Sequence, residues 1–177
     1  MNYSNITIVI NTFKSELVIG DCLKSIPSEA KILVIENSNN IFFKNELEKK
    51  YNNIQCILTG DNLGYAKGNN LGLSKVSTKY ALVLNPDAAL GPDALAKLLI
   101  TAKNFPDFAI IGPAKQDEYS LEDLNKDKDQ VFQVKSLKGF AMFFNLDKFK
   151  DIGFFDENFF IYLEEIDLCK RLKKQNK

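Results

Sequence analysis

An Asn-Pro-Asp corner at residues 85–87 is the first part of this sequence that could do chemistry. It directly follows the apolar run Tyr80–Leu84, and Pro86 cannot donate to a sheet ladder, so the run predicts a buried parallel strand that stops there. Ligands bind at the carboxyl ends of strands in open α/β sheets, where Asp87 could hold a cation and, through it, a phosphate. Asn, Pro and Asp are also common turn formers, and the corner taken alone favours a plain turn.

Three carboxylates within four residues form a second candidate: Glu164, Glu165 and Asp167. Neighbouring carboxylates raise one another's proton affinity, so one of them beside a crevice could accept a proton from an attacking hydroxyl. Acidic residues in the first turn of a helix also stabilise the helix dipole without any other role. The residues alone leave both interpretations open.

Three further polar clusters follow predicted strands, at residues 11–13, 36–39 and 61–70. Their amides and carboxylates suit recognition of a base and a ribose, which need matched donors and acceptors. Lys67 lies near a predicted helix start and could meet a phosphate together with the backbone amides beside it. A solvated helix residue is an equally good interpretation of Lys67. The glycines of the last cluster match neither the dinucleotide fingerprint nor a phosphate-binding loop.

Composition limits which chemistry is available to the chain. Its 177 residues suit one domain and include no histidine, so any chemistry must rest on carboxylates, amides and lysine. Lys plus Arg and Asp plus Glu are equal at 23 each, so no global field would gather nucleic acid, and phosphate recognition must be local. The three cysteines are far apart, as is usual in a reducing compartment. No segment approaches the ~20 apolar residues of a membrane span, so we expect no transmembrane segment and a cytoplasmic location.

Strand and helix patterns alternate along the first hundred residues. Short β-prone runs are found at 6–10, 31–35, 54–58 and 80–84. Helical patterns follow from Ser15, at 41–51, at 65–76 and after 91–93. Further on we predict strands at 108–111 and 139–144, a charged solvent loop at 115–130, and helices at 147–152 and 164–174. This order predicts an α/β domain whose parallel sheet is covered on both faces, with the polar clusters at one edge.

A series of motifs in this order resembles the family 2 glycosyltransferases, in their rhamnosyltransferase-like branch. The motifs are the segments 6–13, 34–38, 61–72, 85–87, 139–144 and 153–169. The resemblance covers nearly the whole chain. It implies a single GT-A type domain over residues 1–177, with a Rossmann-like, mostly parallel sheet and helices on both faces. Residues 1–112 would form the nucleotide-sugar-binding half and residues 113–177 the acceptor and catalytic half.

The resemblance also implies a donor site. Four residues would line the nucleoside pocket: Asn11, Phe13, Glu36 and Asn37. Asn62 and Lys67 would lie beside the ribose and the diphosphate. Asn85 and Asp87 stand where the family has its Asp-x-Asp motif, so Asp87 would bind the Mg²⁺ or Mn²⁺ that bridges the donor phosphates.

The general base is implied in the same way. Glu165 occupies the position of the family's catalytic Asp and would deprotonate the acceptor hydroxyl. Because Glu165 is one carbon longer than the usual base, Asp167 and Glu164 remain alternatives. Relatives usually continue beyond this motif, so we expect the chain to be truncated at its C-terminus.

The implied function is inverting transfer of a sugar from a nucleotide-diphosphate sugar to an acceptor hydroxyl, in bacterial surface polysaccharide synthesis. The acceptor would be a glycan or a lipid-linked glycan, met in the cytoplasm or by peripheral contact at the inner face of the membrane. One alternative is a nucleotide-sugar-binding domain with weak turnover. Another is a sugar nucleotidyltransferase, which would need a glycine-rich basic loop after the first strand; residues 11–15 offer none.

Overall fold

A computed structural model of the chain describes residues 2–113, 131 and 133–175. The first part contains β1 (Ile6–Thr12), α1 (Ile19–Ser25), β2 (Lys31–Glu36), α2 (Ile41–Lys50), β3 (Ile54–Leu58), α3 (Gly64–Lys75) and β4 (Tyr80–Leu84). The second part contains α4 (Ala94–Asn104), β5 (Ile110–Ile111), β6 (Ala141–Asn145), a 3-10 turn (Leu146–Phe149) and α5 (Glu164–Lys174).

The six strands form one sheet in the order β3-β2-β1-β4-β6-β5. The first four strands are parallel, and β6 runs antiparallel between β4 and β5. The predicted mostly parallel sheet is therefore confirmed. Strands β1 and β4 are neighbours in the sheet. The strand that follows β1 in the chain lies on one side of this pair, whereas the strands that follow β4 lie on the other side. The ends of β1 and β4 thus flank the switch point at which open α/β sheets bind ligands.

Helices cover both faces of this sheet, as predicted. In β1, Ile8 and Ile10 belong to the core under α1, α2 and α4, whereas Val9 belongs to the core under α3 and α5. All three side chains are fully buried. Burial of one such aliphatic side chain stabilises the fold by about 1.5–3 kcal/mol. The two cores therefore fix the strand ends on which the polar clusters stand.

Two glycines of helix α3 face the sheet at positions where no side chain would fit. A Cβ at Gly68 would stand 2.5 Å from Asn11 Oδ1, and a Cβ at Gly72 would clash with Val9 Cγ1. Both glycines lie inside the helix, where the residue type costs stability. We infer that their cost is offset by the close approach of α3 to β1.

Some element bounds differ from the prediction. The helix predicted from Ser15 begins at Ile19, since the Ser15 carbonyl accepts from the amides of Val18 and Ile19 in a preceding turn. The strand predicted at 108–111 is only two residues long, and the helix predicted at 147–152 is the short 3-10 turn. The predicted charged loop 115–130 lies outside the described residues. Among the helices of the described ranges, none is long and apolar enough to cross a bilayer.

Candidate functional site

The corner after β4 is held by its backbone. The Asn85 amide donates to the Phe140 carbonyl at 2.8 Å, and the Asn85 carbonyl accepts from the Ala88 amide at 3.1 Å. The Cys22 thiol also donates to that carbonyl at 3.6 Å. Burial and, second, the charge of Asp87 raise the pKa of Cys22 to about 12, so this thiol stays protonated. The residues form the turn that their types favour, and that turn leaves the Asp87 side chain exposed at the switch point.

Asp87 suits a cation site completed by substrate oxygens better than a site built from protein ligands alone. In residues 2–113, 131 and 133–175, no group of three or more His, Cys, Asp or Glu residues could hold a metal ion. Mg²⁺ is usually held by one or two carboxylates together with substrate phosphates and waters. A single exposed carboxylate beside the switch point suits that kind of coordination, in which substrate phosphates and waters would supply the remaining oxygens.

The predicted nucleoside residues Asn11 and Asn37 are brought together. The Asn37 side-chain amide donates to Asn11 Oδ1, and Asn11 Nδ2 donates to the carbonyls of Gly64 and Tyr65 at 3.0 and 3.3 Å. Asn37 Oδ1 accepts from the Leu63 amide at 3.4 Å. These bonds tie the ends of β1 and β2 to the start of α3.

Glu36 and Phe13 lie in very different surroundings. Glu36 is fully buried: Oε1 accepts from the amide and hydroxyl of Ser38, and Oε2 accepts from the Asn40 amide at 2.6 Å. Its carboxylate is therefore used by the turn that follows β2. Phe13 is 47% exposed after β1, with the Lys14 ammonium 5.5 Å from its ring centre. The Phe13 ring is thus accessible from solvent, whereas the Glu36 carboxylate is committed to its own loop.

The start of α3 offers fewer backbone amide donors to a phosphate than its sequence predicts. The Gly64 amide is bound to Asn62 Oδ1 at 3.0 Å, and the Tyr65 amide is bound to the Phe160 carbonyl at 2.7 Å. These two backbone donors already have protein acceptors. Asn62 and Lys67 are exposed, so the Lys67 ammonium can still meet a phosphate.

The three carboxylates of the acidic cluster have three different environments at the start of α5. Glu164 is only 4% exposed, and its Oε2 has no hydrogen-bond partner within the described part of the chain. Burial, and to a smaller degree the charge of Glu165, raise the pKa of Glu164. Asp167 is bound to Arg171 Nε at 2.6 Å, whereas Glu165 is partly exposed. Glu165 is therefore the most available of the three.

Two residues with no predicted role, Arg171 and Tyr65, connect this acidic cluster to the rest of the domain. The Arg171 guanidinium donates to the carbonyls of Ile152 and Phe154, in addition to Asp167. The spacing of four residues between Asp167 and Arg171 is a signal that could have found this pair.

Tyr65 is the second of these residues, and it links α3 to the acidic cluster. Its hydroxyl donates to the Gly139 carbonyl, and Glu165 Cβ lies 4.0 Å from the place where a Cβ on Gly139 would stand. Burial and the charges of Glu164 and Glu165 raise the pKa of Tyr65. The hydroxyl is therefore a donor at neutral pH. Its partner lies 74 residues away, so no local sequence pattern indicates the contact.

A sequence model described as Glycosyl transferase family 2 matches residues 7–168. The chain belongs to this family. Its curated relatives include the low-salt glycan biosynthesis hexosyltransferase Agl10 of Haloferax volcanii, which is 26% identical over 97% of this chain. They also include the N-acetylglucosaminyl-diphospho-decaprenol L-rhamnosyltransferase of Mycobacterium tuberculosis, 23% identical over 81% of the chain. The chain spans 62% and 61% of the length of these relatives. The resemblance to the rhamnosyltransferase-like branch is confirmed.

Two solved structures show a similar fold. The mannosyltransferase PcManGT of Pyrobaculum calidifontis, in complex with GDP-Man and Mn²⁺, superposes with a TM-score of 0.73 at 13% identity. It is matched over 96% of this chain and 51% of its own. TarS of S. aureus, residues 1–349, gives 0.70 at 15% identity, over 94% and 54% of the two chains. The GT-A fold is therefore confirmed for this chain.

Proposed function

We propose that this domain moves a sugar from a nucleotide-diphosphate sugar to an acceptor hydroxyl with inversion at the anomeric carbon. One observation carries the proposal: Tyr65, in the helix beside the predicted donor residues, donates its hydroxyl to the carbonyl of Gly139, which lies beside Glu165. The side that would bind a donor and the side that would activate an acceptor are therefore joined by one residue.

On the donor side, we assign the nucleoside to the surface formed after β1 and β2. The open ring of Phe13 offers a stacking face, and the paired amides of Asn11 and Asn37 hold the two loops together. Glu36 shapes the second loop from beneath. The exposed residues Asn62 and Lys67 are assigned to the ribose and the diphosphate, and Asn85 to the sugar-phosphate end of the donor.

Asp87 is the residue that we assign to a divalent cation. A Mg²⁺ or Mn²⁺ ion there would supply positive charge to the donor phosphates and the leaving diphosphate. The mannosyltransferase of P. calidifontis, whose structure holds GDP-Man and Mn²⁺, supports this assignment by its similar fold. The Lys67 ammonium would add charge from the protein itself.

Glu165 is assigned as the general base. Its carboxylate would take the proton of the acceptor hydroxyl while that oxygen forms a bond to the anomeric carbon. The bond from that carbon to the phosphate oxygen breaks, and the nucleotide diphosphate leaves from the opposite face. Holding donor and acceptor in line supplies much of the rate enhancement. Asp167 is less suited to this role because it is bound to Arg171, and Glu164 because it is buried.

For the acceptor, we propose a glycan or a lipid-linked glycan. The rhamnosyltransferase of M. tuberculosis is named for a lipid diphosphate acceptor. In this chain an exposed apolar run directly precedes α5: Phe160, Ile161, Tyr162 and Leu163. Such a run suits the apolar part of an acceptor, which would place the reaction at the cytoplasmic face of a membrane. In this proposal residues 1–112 bind the donor and residues 113–177 bind the acceptor.

Calorimetric titration with UDP, GDP and dTDP, each with and without Mn²⁺, tests the donor site. We expect one of the three to bind, and to bind more tightly with the metal. Binding of none would overturn the proposal. Incubation with UDP-GlcNAc, GDP-Man or dTDP-rhamnose should then release the nucleotide diphosphate slowly to water. Binding without any release would favour a nucleotide-sugar-binding domain, and pyrophosphate release from a nucleoside triphosphate with a sugar 1-phosphate would favour a nucleotidyltransferase.

A further inference from the structure

The segment between the 3-10 turn and α5 is held in place by contacts with another element, helix α3. Residues 152–163 contain neither helix nor strand, so their backbone groups have no ladder of their own. Phe155 is the buried residue of this segment, and because unpaired buried backbone groups are costly, its amide and carbonyl need partners from other elements. This segment leads directly to Glu164 and Glu165, and its position sets where the first turn of α5 begins.

Helix α3 holds this segment through Asn70. Asn70 Nδ2 donates to the Phe155 carbonyl at 2.8 Å, and the Phe155 amide donates to Asn70 Oδ1 at 3.0 Å. The side chain thus pairs with both backbone groups of one residue, as a neighbouring strand would. Nδ2 also lies 3.1 Å from Glu157 Oε1, at the exposed rim.

The same helix contacts the segment at two more points, both through Tyr65. The Tyr65 amide donates to the Phe160 carbonyl at 2.7 Å, and its ring packs edge-on against the ring of Phe155 at 5.7 Å between centres. Phe155 is 3% exposed. A shift of Phe155 would therefore move Tyr65, whose hydroxyl contacts Gly139 beside Glu165.

We infer that Asn70 is a positioning residue that aligns Glu165 with a donor bound beside α3, an inference that rests on the function proposed above. Asn70 stands one turn beyond Lys67 on the helix assigned to the donor, and it fixes the segment that carries the assigned base. The Asn side-chain amide carries both a donor and an acceptor, so it can pair with the carbonyl and the amide of the same residue, which a carboxylate cannot do. Asn70 touches neither the proposed donor nor the proposed base, so it acts through Phe155.

A positioning role and a merely structural role predict different kinetics. Misplacing the base by about 1 Å costs on the order of 10²-fold in rate without weakening ground-state binding. A plain loss of stability instead lowers the melting temperature and removes active protein, which leaves the remaining molecules with normal donor affinity and normal turnover per folded site.

The test compares the unaltered chain with Asn70→Ala, Asn70→Asp and Ser74→Ala. Ser74 is exposed on the same helix and its hydroxyl donates to the Leu71 carbonyl, so Ser74→Ala removes a hydrogen bond within α3. Release of nucleotide diphosphate from UDP-GlcNAc, GDP-Man and dTDP-rhamnose gives kcat per folded site and KM. Hydrogen exchange of peptides covering residues 153–160 reports whether the segment has loosened.

For Asn70→Ala we expect kcat to fall about 10²-fold with the donor KM unchanged, and residues 153–160 to exchange faster. Asn70→Asp keeps the acceptor for the Phe155 amide but sets a carboxylate oxygen against the Phe155 carbonyl and Glu157 Oε1, so its kcat should fall at least as far as that of Asn70→Ala. Unchanged kcat in Asn70→Ala, or a fall matched by Ser74→Ala, would overturn this inference and leave the proposed function standing. No release from any donor by the unaltered chain would refute the proposed function, and the inference with it.

Discussion

Asn37 donates its side-chain amide to Oδ1 of Asn11, which joins the carboxyl ends of β1 and β2 at the switch point of the sheet. The second hydrogen-bonding group of Asn11 is used as well, because its Nδ2 donates to the Gly64 carbonyl at the start of α3. A side chain with both groups engaged has one orientation. The Asn11–Asn37 pair therefore fixes the distance between two loops and the helix that we assign to the donor.

Gly68→Ala should disturb this pair directly. The added Cβ would stand 2.5 Å from Asn11 Oδ1, so either Asn11 or α3 must move. We expect a loss of about 1–3 kcal/mol in the free energy of unfolding and weaker nucleotide binding in calorimetry. Gly20→Ala is a matched control, since a Cβ there meets nothing within 4 Å inside α1 and should stabilise by about 0.5–1 kcal/mol. Equal nucleotide affinity in the two variants would contradict the assigned role of Asn11.

Asp87→Asn should remove the metal dependence of nucleotide binding. The change keeps the size of the side chain but removes the charge that a hard divalent cation requires. Calorimetry should give the same affinity with and without Mn²⁺, close to the metal-free affinity of the unaltered chain. Asp151→Asn, another exposed carboxylate, should leave the metal effect intact. A persistent metal effect in Asp87→Asn would show that the cation is held elsewhere.

Glu165→Gln and Asp167→Asn should separate the base from a structural ion pair. We expect Glu165→Gln to lower kcat about 10²–10⁴-fold while nucleotide binding is retained, because only proton transfer is lost. Asp167→Asn should instead cost about 1 kcal/mol of stability through its partly exposed pair with Arg171. Kinetics per folded site and thermal unfolding distinguish the two. If Glu165→Gln turns over normally and Asp167→Asn does not, the general base is Asp167 and not Glu165.

The sequence predicts the fold well where local signals decide it. The β-prone runs predict the first four strands, and the acidic start and basic end of 164–174 predict the bounds of α5. The insertion of β6 between β4 and β5 is less predictable, since β6 pairs with strands far away in sequence. For the site, residue types indicate a phosphate or nucleotide crevice and its edge. They do not indicate that the Glu36 carboxylate turns back into its own loop, or that Tyr65 reaches Gly139. Both depend on tertiary distances that have no local pattern.

Glu164→Gln should stabilise the protein in a pH-dependent way. Burial, followed by the charge of Glu165, raises the pKa of Glu164 above its ordinary value of 4.5, so the folded chain binds this proton more tightly than the unfolded chain. The contribution of this carboxyl to stability is then fully present below pH 4.5 and is lost as the pH rises through the folded pKa, because the buried carboxyl must ionise without a partner for Oε2 in the described part of the chain. Gln cannot ionise, and it resembles the protonated form. The melting temperature of Glu164→Gln should therefore equal that of the unaltered chain below pH 4.5 and exceed it increasingly towards neutral pH. Glu46→Gln, a change at an exposed carboxylate on α2, is the control variant and should show no such rise. A constant difference between Glu164→Gln and the unaltered chain at all pH values would mean that packing, and not ionisation, governs this site.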